Sequence, residues 1–169
     1  MQNFIEISPR DINDNVFNVI ANKWMLVTAE KDGKVNTMTA SWGGLGHMWH
    51  RDAAFIVIRP QRFTKEFIDS AENFSLTFFN ECYKEKLRYL GVTSGRDEDK
   101  IKKAELTVVY DGKDPYFSEG ELTIICRKLY EEPLKEACFI DKRIIDQHYP
   151  EKDFHVLYVG EILKVLKKA

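Results

Sequence analysis

The stretch NTMTASWGGLGHMWH, residues 36–50, joins a strand-like pattern to a glycine-rich segment that carries several rings. Its first half alternates β-branched and small residues, which is typical of a strand, and its second half places Gly43, Gly44 and Gly46 between Trp42 and Trp49. Small residues at the end of a strand expose main-chain N–H and C=O groups that can contact the edge of a flat heterocycle. An ordinary barrel strand that ends at a glycine corner, with the tryptophans as core or dimer anchors, would carry the same pattern. The stretch predicts a strand and then a corner, and both interpretations stay open.

The residues before this stretch predict that its strand is the second half of a β-hairpin. The segments WMLVTAE and VNTMTASW are separated by KDGK, in which Asp32-Gly33 accepts the positive φ angles of a type I′ turn. After the stretch, AAFIVI at residues 53–58 is apolar on both faces and predicts a central strand. Working outward from residues 36–50, the pattern therefore indicates antiparallel strands.

The remaining chain predicts more strands and a few short helices. The predicted strands are FSLTFF, ELTIICRKLY and FHVLYVGEILKVL. The helices are predicted after Asp11 as cap, over RFTKEFIDSAENF with Thr64 as cap, over residues 81–91, after Asp97 as cap, and over DKRIIDQHYP as far as Pro150. About six or seven strands of hairpin type with helical excursions predict a mainly β antiparallel barrel, with residues 1–169 as one domain.

Composition and charge exclude several classes of partner. Lys and Arg total 25 against 27 for Asp and Glu, and this balance lacks the basic excess of proteins that bind nucleic acid or anionic membranes. The beginning of the chain has no basic leader, and its longest apolar run, AAFIVI, is too short to span a membrane. The 3 cysteines show no CxxC spacing, which favours reduced thiols. We therefore expect a cytoplasmic protein without a nucleic-acid or membrane partner.

Motifs for resident nucleotides, nucleophiles and metals are missing from the sequence. It contains no G-x-G-x-x-G, no phosphate-binding P-loop and no G-x-S-x-G elbow. His47 and His50 have no third metal ligand nearby, whereas the roles of His155 and Cys82 stay open. We assign no catalytic side chain and no metal ligand, and expect a bound cofactor to carry the chemistry.

Two segments offer groups that could bind a phosphate. In RPQRFT, Arg62 precedes a predicted helix, so that its guanidinium, the free N–H groups of the helix and the Thr64 hydroxyl could bind one anion. In TSGRDEDK, Ser94, Gly95, Arg96 and Lys100 form a second set of donors that could complete a phosphate or ribityl site. Solvated surface charges would explain RPQRFT equally well, and a charged surface loop is the favoured interpretation of TSGRDEDK taken alone.

Taken together, NTMTASWGGLGHMW, RPQRFT, SGRDEDK and YVGEI occur in an order and spacing that resemble the flavin reductase-like FMN-binding split-barrel family. The resemblance runs from residue 24 to residue 162 and is closest to the branch that contains flavoredoxins. It implies a six-stranded antiparallel split β-barrel of Greek-key type. It also implies a homodimer with FMN bound at the subunit interface.

The resemblance implies a place for each candidate residue around FMN. Residues along the isoalloxazine edge would be Thr39, Ala40, Ser41 and Trp42. The phosphate would be held by Arg62, Phe63 and Thr64, and the ribityl-phosphate end would be approached by Ser94, Gly95 and Lys100. Outer positions would be taken by Asn80, Glu161 and His155, and the histidines of GHMWH would partly close the flavin face.

The implied activity is an oxidoreductase that passes electrons from NADH or NADPH through FMN to free flavin, ferric iron or a protein acceptor. The alternative is an electron carrier or FMN-binding module of the flavoredoxin type, which would receive its electrons from a redox protein partner. A barrel without a ligand, with the aromatic residues as core, is the third interpretation.

Overall fold

The computed structural model describes residues 4–169, and antiparallel strands dominate it. The strands are β1 (Phe4–Ile7), β2 (Met25–Lys31), β3 (Lys34–Ala40), β4 (Gly43–Met48), β5 (Arg51–Ile58), β6 (Asn73–Phe78), β7 (Val108–Asp111), β8 (Asp114–Phe117), β9 (Leu122–Pro133) and β10 (Val156–Lys168). The helices are α1 (Val16–Asn18), which continues as the π-helical turn Val19–Lys23, α2 (Phe63–Ser70), α3 (Lys84–Val92), α4 (Lys100–Lys103) and α5 (Arg143–His148). Single 3₁₀ turns lie at Pro9–Asp11, Glu81–Tyr83 and Glu136–Cys138.

The main sheet curls because its two end strands are neighbours in the chain. Within residues 4–169 the sheet has 8 strands, and its path runs β3-β2-β6-β9-β10-β5-β4, with β1 paired to β10. Only Ser41 and Trp42 connect β3 to β4, and so short a connection spans about 10 Å at most. The two ends of the sheet therefore lie close together, and the sheet wraps around an apolar interior. The predicted mainly β antiparallel architecture is confirmed.

The sheet contains two strands beyond the six that the resemblance implied. β1 pairs with the last residues of β10, in register from Phe4 with Lys168 to Ile7 with Val165. β4 extends the sheet at its other end. The separate hairpin of β7 and β8 was not predicted, although Gly112 supplies a positive φ of 60° in its turn.

The glycine-rich half of the opening stretch is a strand, so the predicted corner is wrong. β4 pairs with β5 from Gly43 opposite Ile56 to Met48 opposite Arg51. Its glycines allow close packing on β5, since a Cβ atom on Gly43 would lie 2.3 Å from the main-chain oxygen of Phe55. The tight turn comes later, after β4 has ended.

The hairpin and the buried strands follow the prediction closely. Asp32 and Gly33 join β2 to β3 with φ angles of 51° and 73°, as a type I′ turn requires. β5 lies between β10 and β4, so it is a central strand as predicted, and its Ala54, Ile56 and Ile58 pack in the core. Cys126 on β9 is buried in the barrel interior.

Two predicted helix caps are wrong by a few residues. α1 is capped by Asn15 rather than Asp11, and α4 is capped by Asp99 rather than Asp97. A cap needs a non-helical backbone immediately before the first helical turn, and packing decides where that turn begins. Among the described residues, no helix is long and apolar enough to cross a membrane.

Candidate functional site

A first cavity of about 420 Å³ opens where β3 ends. Its lining residues are Met38, Thr39, Ala40, Ser41, Trp42, Val57, Arg59, Gln61, Arg62 and His155. β3 is an end strand of the sheet and pairs with β2 alone within residues 4–169. Main-chain groups on its outer edge therefore lack sheet partners and can meet a planar ligand.

The indole of Trp42 forms one wall of this first cavity. Its ring centroid lies 5.1 Å from that of His155 and 5.3 Å from that of His148, while 42% of the residue stays exposed. Because it is partly exposed, the indole can contact a flat ligand and keep its contacts with the two histidine rings.

The imidazole of His155 is buried and uncharged at neutral pH. Its Nδ1 atom lies 2.8 Å from the Tyr149 hydroxyl. Burial, and then the neighbouring Arg59, lower the pKa of His155 to about 4. His155 therefore presents a neutral ring to the cavity at pH 7.

This pKa predicts a loss of stability in mild acid. The unfolded chain binds a proton on His155 near pH 6.5, whereas the folded chain does so only near pH 4, so stability falls as the pH falls between these values. We expect the free energy of unfolding to drop by about 2 kcal/mol more in the wild type than in His155→Gln between pH 7 and pH 5. Urea unfolding at both pH values measures this difference. The exposed control His148→Gln should keep the wild-type difference, and a similar drop in His155→Gln would contradict the assignment.

A second cavity of about 140 Å³ adjoins the first. The two share Met38, Gln61 and Arg62. The other lining residues of the second cavity are Phe63, Thr64, Val92, Thr93, Ser94, Gly95 and Lys100. The two adjoining cavities thus contain every residue predicted for the isoalloxazine edge, the phosphate and the ribityl-phosphate end.

Arg62 stands at the junction of the two cavities. It is half-buried directly before α2, and its guanidinium has no hydrogen-bond or ion-pair partner among residues 4–169. Burial, followed by repulsion from Arg59, lowers its pKa. An unpaired arginine beside the first N–H groups of a helix is a strong anion-binding arrangement.

Lys100 contributes positive charge to the second cavity, but two of its N–H groups donate hydrogen bonds to the main chain. Its ammonium donates to the main-chain oxygens of Leu90, at 2.9 Å, and Thr93, at 2.8 Å. Burial, and then the charge of Arg62, lower the pKa of Lys100 to about 8. Lys100 therefore ties the end of α3 to α4 and holds the loop after α3 against the cavity.

The threonine hydroxyls of the site are already engaged. Thr39 donates to the main-chain oxygen of Leu87 at 2.6 Å. Thr64 lies inside the first turn of α2 and accepts from Asn36 Nδ2 at 3.0 Å, so the prediction that Thr64 caps this helix is wrong. Arg62 takes the cap position, and its side chain makes no capping hydrogen bond within the described part of the chain. Thr39 and Thr64 thus shape the site through the main chain and packing.

Asn36 is a site residue that the sequence interpretation missed. It is 4% exposed, and a Cβ atom on Gly95 would lie 2.4 Å from its Oδ1 atom. Arg96 closes the same loop over Phe63, with its guanidinium carbon 4.6 Å from the ring centroid. The signal available in the sequence was that Asn36 is a polar residue within a segment that otherwise predicts a strand next to the site.

Of the outer candidates, His155 lines the first cavity, whereas Asn80 and Glu161 lie outside both linings. Asn80 donates to Glu121 at 3.0 Å, and Glu161 pairs with two arginines across neighbouring strands. His47 Nδ1 lies 2.9 Å from Asp52 Oδ1. The exposed His50 and Cys82 also lie outside the two cavity linings.

Comparisons with known proteins identify the family. The sequence model of the flavin reductase like domain matches residues 17–168. The chain belongs to the flavin reductase-like family. This family match covers both cavities and nearly all of the barrel, and a search of curated proteins found no significant match.

Solved structures share this flavin reductase-like fold. An FMN-binding domain of a flavin reductases-like enzyme from Shewanella baltica OS155 superposes with a TM-score of 0.72 at 16% identity, covering 99% of this chain and 78% of that one. Flavoredoxin from Methanosarcina acetivorans gives 0.68 at 24% identity, covering 96% and 76%. Flavoredoxin of Desulfovibrio vulgaris (Miyazaki F) gives 0.67 at 20% identity, covering 96% and 77%. At these identities the likeness establishes a shared fold.

Proposed function

We propose that this chain binds FMN across the first and second cavities and passes electrons from NADH or NADPH to free flavin, ferric iron or a protein acceptor. The observation that carries the proposal is Arg62, which has no partner among the described residues and borders both cavities at the start of α2. A phosphate at this junction would leave room for a ring on one side, against β3. Membership of the flavin reductase-like family supports the same arrangement.

The residues of the first cavity fit a planar, electron-accepting ring. Bound flavin would supply the chemistry, taking a hydride from the nicotinamide and delivering electrons to the acceptor. Main-chain N–H groups at the end of β3 would stabilise the negative charge that builds up on reduction. Trp42 and the neutral His155 would exclude water from one side of the ring.

The residues of the second cavity fit a phosphate. Arg62 and Lys100 place two positive charges there, and the N-terminus of α2 adds the positive end of its dipole. No carboxylate lines this cavity within residues 4–169. The site therefore holds positive charge that is free to attract a dianion.

A visible absorption spectrum followed by nucleotide addition tests the proposal. The purified protein should be yellow, and after addition of free flavin it should oxidise NADH or NADPH at many turnovers per site. Tight FMN binding without turnover with either nucleotide would overturn the oxidoreductase activity.

The second candidate is an electron carrier, because two of the solved structures with this fold are flavoredoxins. A carrier would hold FMN tightly but accept electrons quickly only from a protein donor. Stopped-flow reduction with NADH, NADPH and a reduced ferredoxin discriminates the two functions. Reduction by a nucleotide at a rate that matches steady-state turnover favours the enzyme.

We also propose a reducing compartment, the cytoplasm, for this protein. The thiols of Cys82, Cys126 and Cys138 are free, and Cys82 and Cys138 are exposed. Exposed unpaired thiols persist in reducing surroundings, whereas secreted proteins usually pair them.

We further propose a homodimer in which the partner subunit covers part of the first cavity. Trp49 and His50 form the turn between β4 and β5 with φ angles of 53° and 58°. Bulky residues are costly in this conformation, where Asn-Gly is preferred, so their presence suggests a binding role. Trp49 is 50% exposed, and its ring centroid lies 6.2 Å from that of the exposed Tyr130, so two aromatic rings lie together on the barrel surface.

Trp49→Asn should shift the protein from dimer to monomer and weaken FMN binding. The substitution removes the exposed indole and gives the turn a residue that tolerates positive φ, so the monomer itself should remain folded. Size-exclusion chromatography with light scattering measures the mass. Tyr110→Asn, which changes an exposed ring on β7, should leave the mass unchanged. A wild-type monomer at micromolar concentration would contradict the dimer.

A further inference from the structure

One carboxylate, that of Asp153, joins two side chains that line the first cavity. Asp153 follows α5 in the segment between β9 and β10, and it does not line the first cavity itself. Its Oδ2 atom accepts a hydrogen bond from Gln61 Nε2 at 2.7 Å and another from the guanidinium of Arg59, with which it also forms an ion pair. Both Arg59 and Gln61 line the cavity. Asp153 therefore reaches the proposed flavin site through these two side chains.

Arg59 is fixed to the same segment by two further contacts. Its Nη2 atom donates to the main-chain oxygen of His148 at 2.8 Å, and its guanidinium carbon lies 5.2 Å from the ring centroid of Tyr149. The side-chain amide of Gln61 makes its one hydrogen bond within residues 4–169 to Asp153. Asp153 therefore decides the position of the Gln61 amide and, together with the end of α5, that of Arg59.

Asp153 also compensates positive charge at the first cavity. Among the described residues that line this cavity, Arg59 and Arg62 carry the charge, and no carboxylate lies beside them. Arg59 pairs with Asp153, whereas Arg62 has no ion-pair partner within residues 4–169. The charge of Asp153 acts as far as His155, because it opposes the lowering of the pKa of His155 that burial and then Arg59 cause. Asp153 therefore reduces the positive charge that the cavity presents to a ligand.

The second oxygen of the Asp153 carboxylate distinguishes its charge from its hydrogen bonds. Oδ1 is buried and has no hydrogen-bond partner among the described residues, which costs free energy. Both donors use Oδ2, so the amide oxygen of an asparagine could accept the same two hydrogen bonds. The negative charge is the property of Asp153 that an amide at this position would lack.

We propose that Asp153 is a positioning residue for electron transfer at the first cavity: it holds Arg59 and Gln61 in the cavity wall and compensates the charge of Arg59. This inference rests on the proposed function, because it requires a flavin in the first cavity. Reduction places negative charge on a flavin, and nearby positive charge stabilises the reduced form. By offsetting Arg59, Asp153 limits this stabilisation and keeps the electrons of the reduced flavin available to the acceptor.

Asp153→Asn tests the charge, because it removes the negative charge and keeps an oxygen that can accept from Arg59 and Gln61. We expect the flavin-free variant to bind oxidised riboflavin within about twofold of the wild type, since the cavity wall keeps its shape. Reduced FMN should bind about fivefold more tightly relative to oxidised FMN. For two electrons, this change raises the midpoint potential of bound FMN by about 20 mV. Titration against a reference dye measures the potential.

Two further variants separate position from charge. Asp153→Ala removes the acceptor as well, so Arg59 and Gln61 lose their hydrogen bonds, and the flavin-free variant should bind oxidised riboflavin about fivefold more weakly than the wild type. Glu151→Gln is the matched control, because it makes the same charge change as Asp153→Asn at an exposed residue outside both cavity linings. It should leave the riboflavin affinity and the midpoint potential unchanged, since water and salt screen exposed charges.

The outcomes separate this inference from the proposed function. If the wild type binds neither FMN nor riboflavin, the proposed function fails, and the inference fails with it. If the wild type binds FMN but Asp153→Asn has the same midpoint potential or a lower one, the inference alone is overturned. Equal losses of riboflavin affinity in Asp153→Asn and Asp153→Ala, with unchanged potentials, would reduce Asp153 to a structural contact. A shift of the same size in Glu151→Gln would assign the effect to the net charge of the protein.

Discussion

Arg62→Ala should weaken FMN binding about 100-fold while weakening riboflavin binding less than threefold. A charge-assisted, bidentate contact to a phosphate contributes about 2–3 kcal/mol in a partly buried site, which corresponds to this change in affinity. Riboflavin lacks the phosphate, so it should lose only the weak contacts of the arginine stem. Fluorescence titration with both ligands measures the two changes.

Two further variants show whether the effect comes from this side chain. Arg62→Lys keeps the charge but loses the planar fork, and we expect an intermediate loss of FMN affinity. Lys65→Ala removes a charge from the same helix, where Lys65 pairs with Asp69 at 2.6 Å, and should change FMN affinity less than twofold. Equal losses of FMN and riboflavin in Arg62→Ala would remove this residue from the phosphate.

Gly43→Ala should destabilise the barrel by about 3 kcal/mol. Gly43 has a φ of 147°, and an added Cβ atom would lie 2.3 Å from the main-chain oxygen of Phe55. This oxygen belongs to β5, which is held between two other strands, so the backbone cannot move away without breaking the pairing. Thermal unfolding should show a fall in Tm of about 6–12 °C.

Gly44→Ala is the matched control for this change. At Gly44 the nearest atom to an added Cβ is Phe55 Cδ2, at 4.0 Å. We expect a loss of less than about 1 kcal/mol, because the contact is ordinary and the ring can adjust. Similar Tm values for the two variants would mean that the end of β4 tolerates side chains, and that its close approach to β5 is not required.

Much of the site could be predicted because its motifs are local. The place of Arg62 near the start of a helix follows from neighbouring residues in RPQRFT, and the Asp32-Gly33 turn follows from the φ angles that two residues accept. The small residues at the end of β3 are likewise contiguous. Features that depend on neighbouring residues in this way can be predicted from the sequence without knowledge of the fold.

The errors concern residues whose roles depend on distant partners. Thr64 looks like a cap, but its hydroxyl is taken by Asn36, 28 residues earlier. Lys100 does line the second cavity, but the local pattern did not show that its ammonium donates to Leu90 and Thr93 at the end of α3. The glycines of β4 predicted a corner, but they form a strand because they pair with β5.

By itself, the sequence determined the antiparallel class and the hairpin around Asp32-Gly33. It also determined which segments carry small residues, aromatic rings and arginine. These features follow from side-chain chemistry and from patterns that repeat every two to four residues. Only the tertiary structure decided that those segments meet around two adjoining cavities beside β3, and that Arg62 stays unpaired there among the described residues. The physical reason is that burial, hydrogen-bond pairing and cavity shape depend on contacts between elements that are far apart in the chain. The local sequence pattern is compatible with several such contacts and does not select among them.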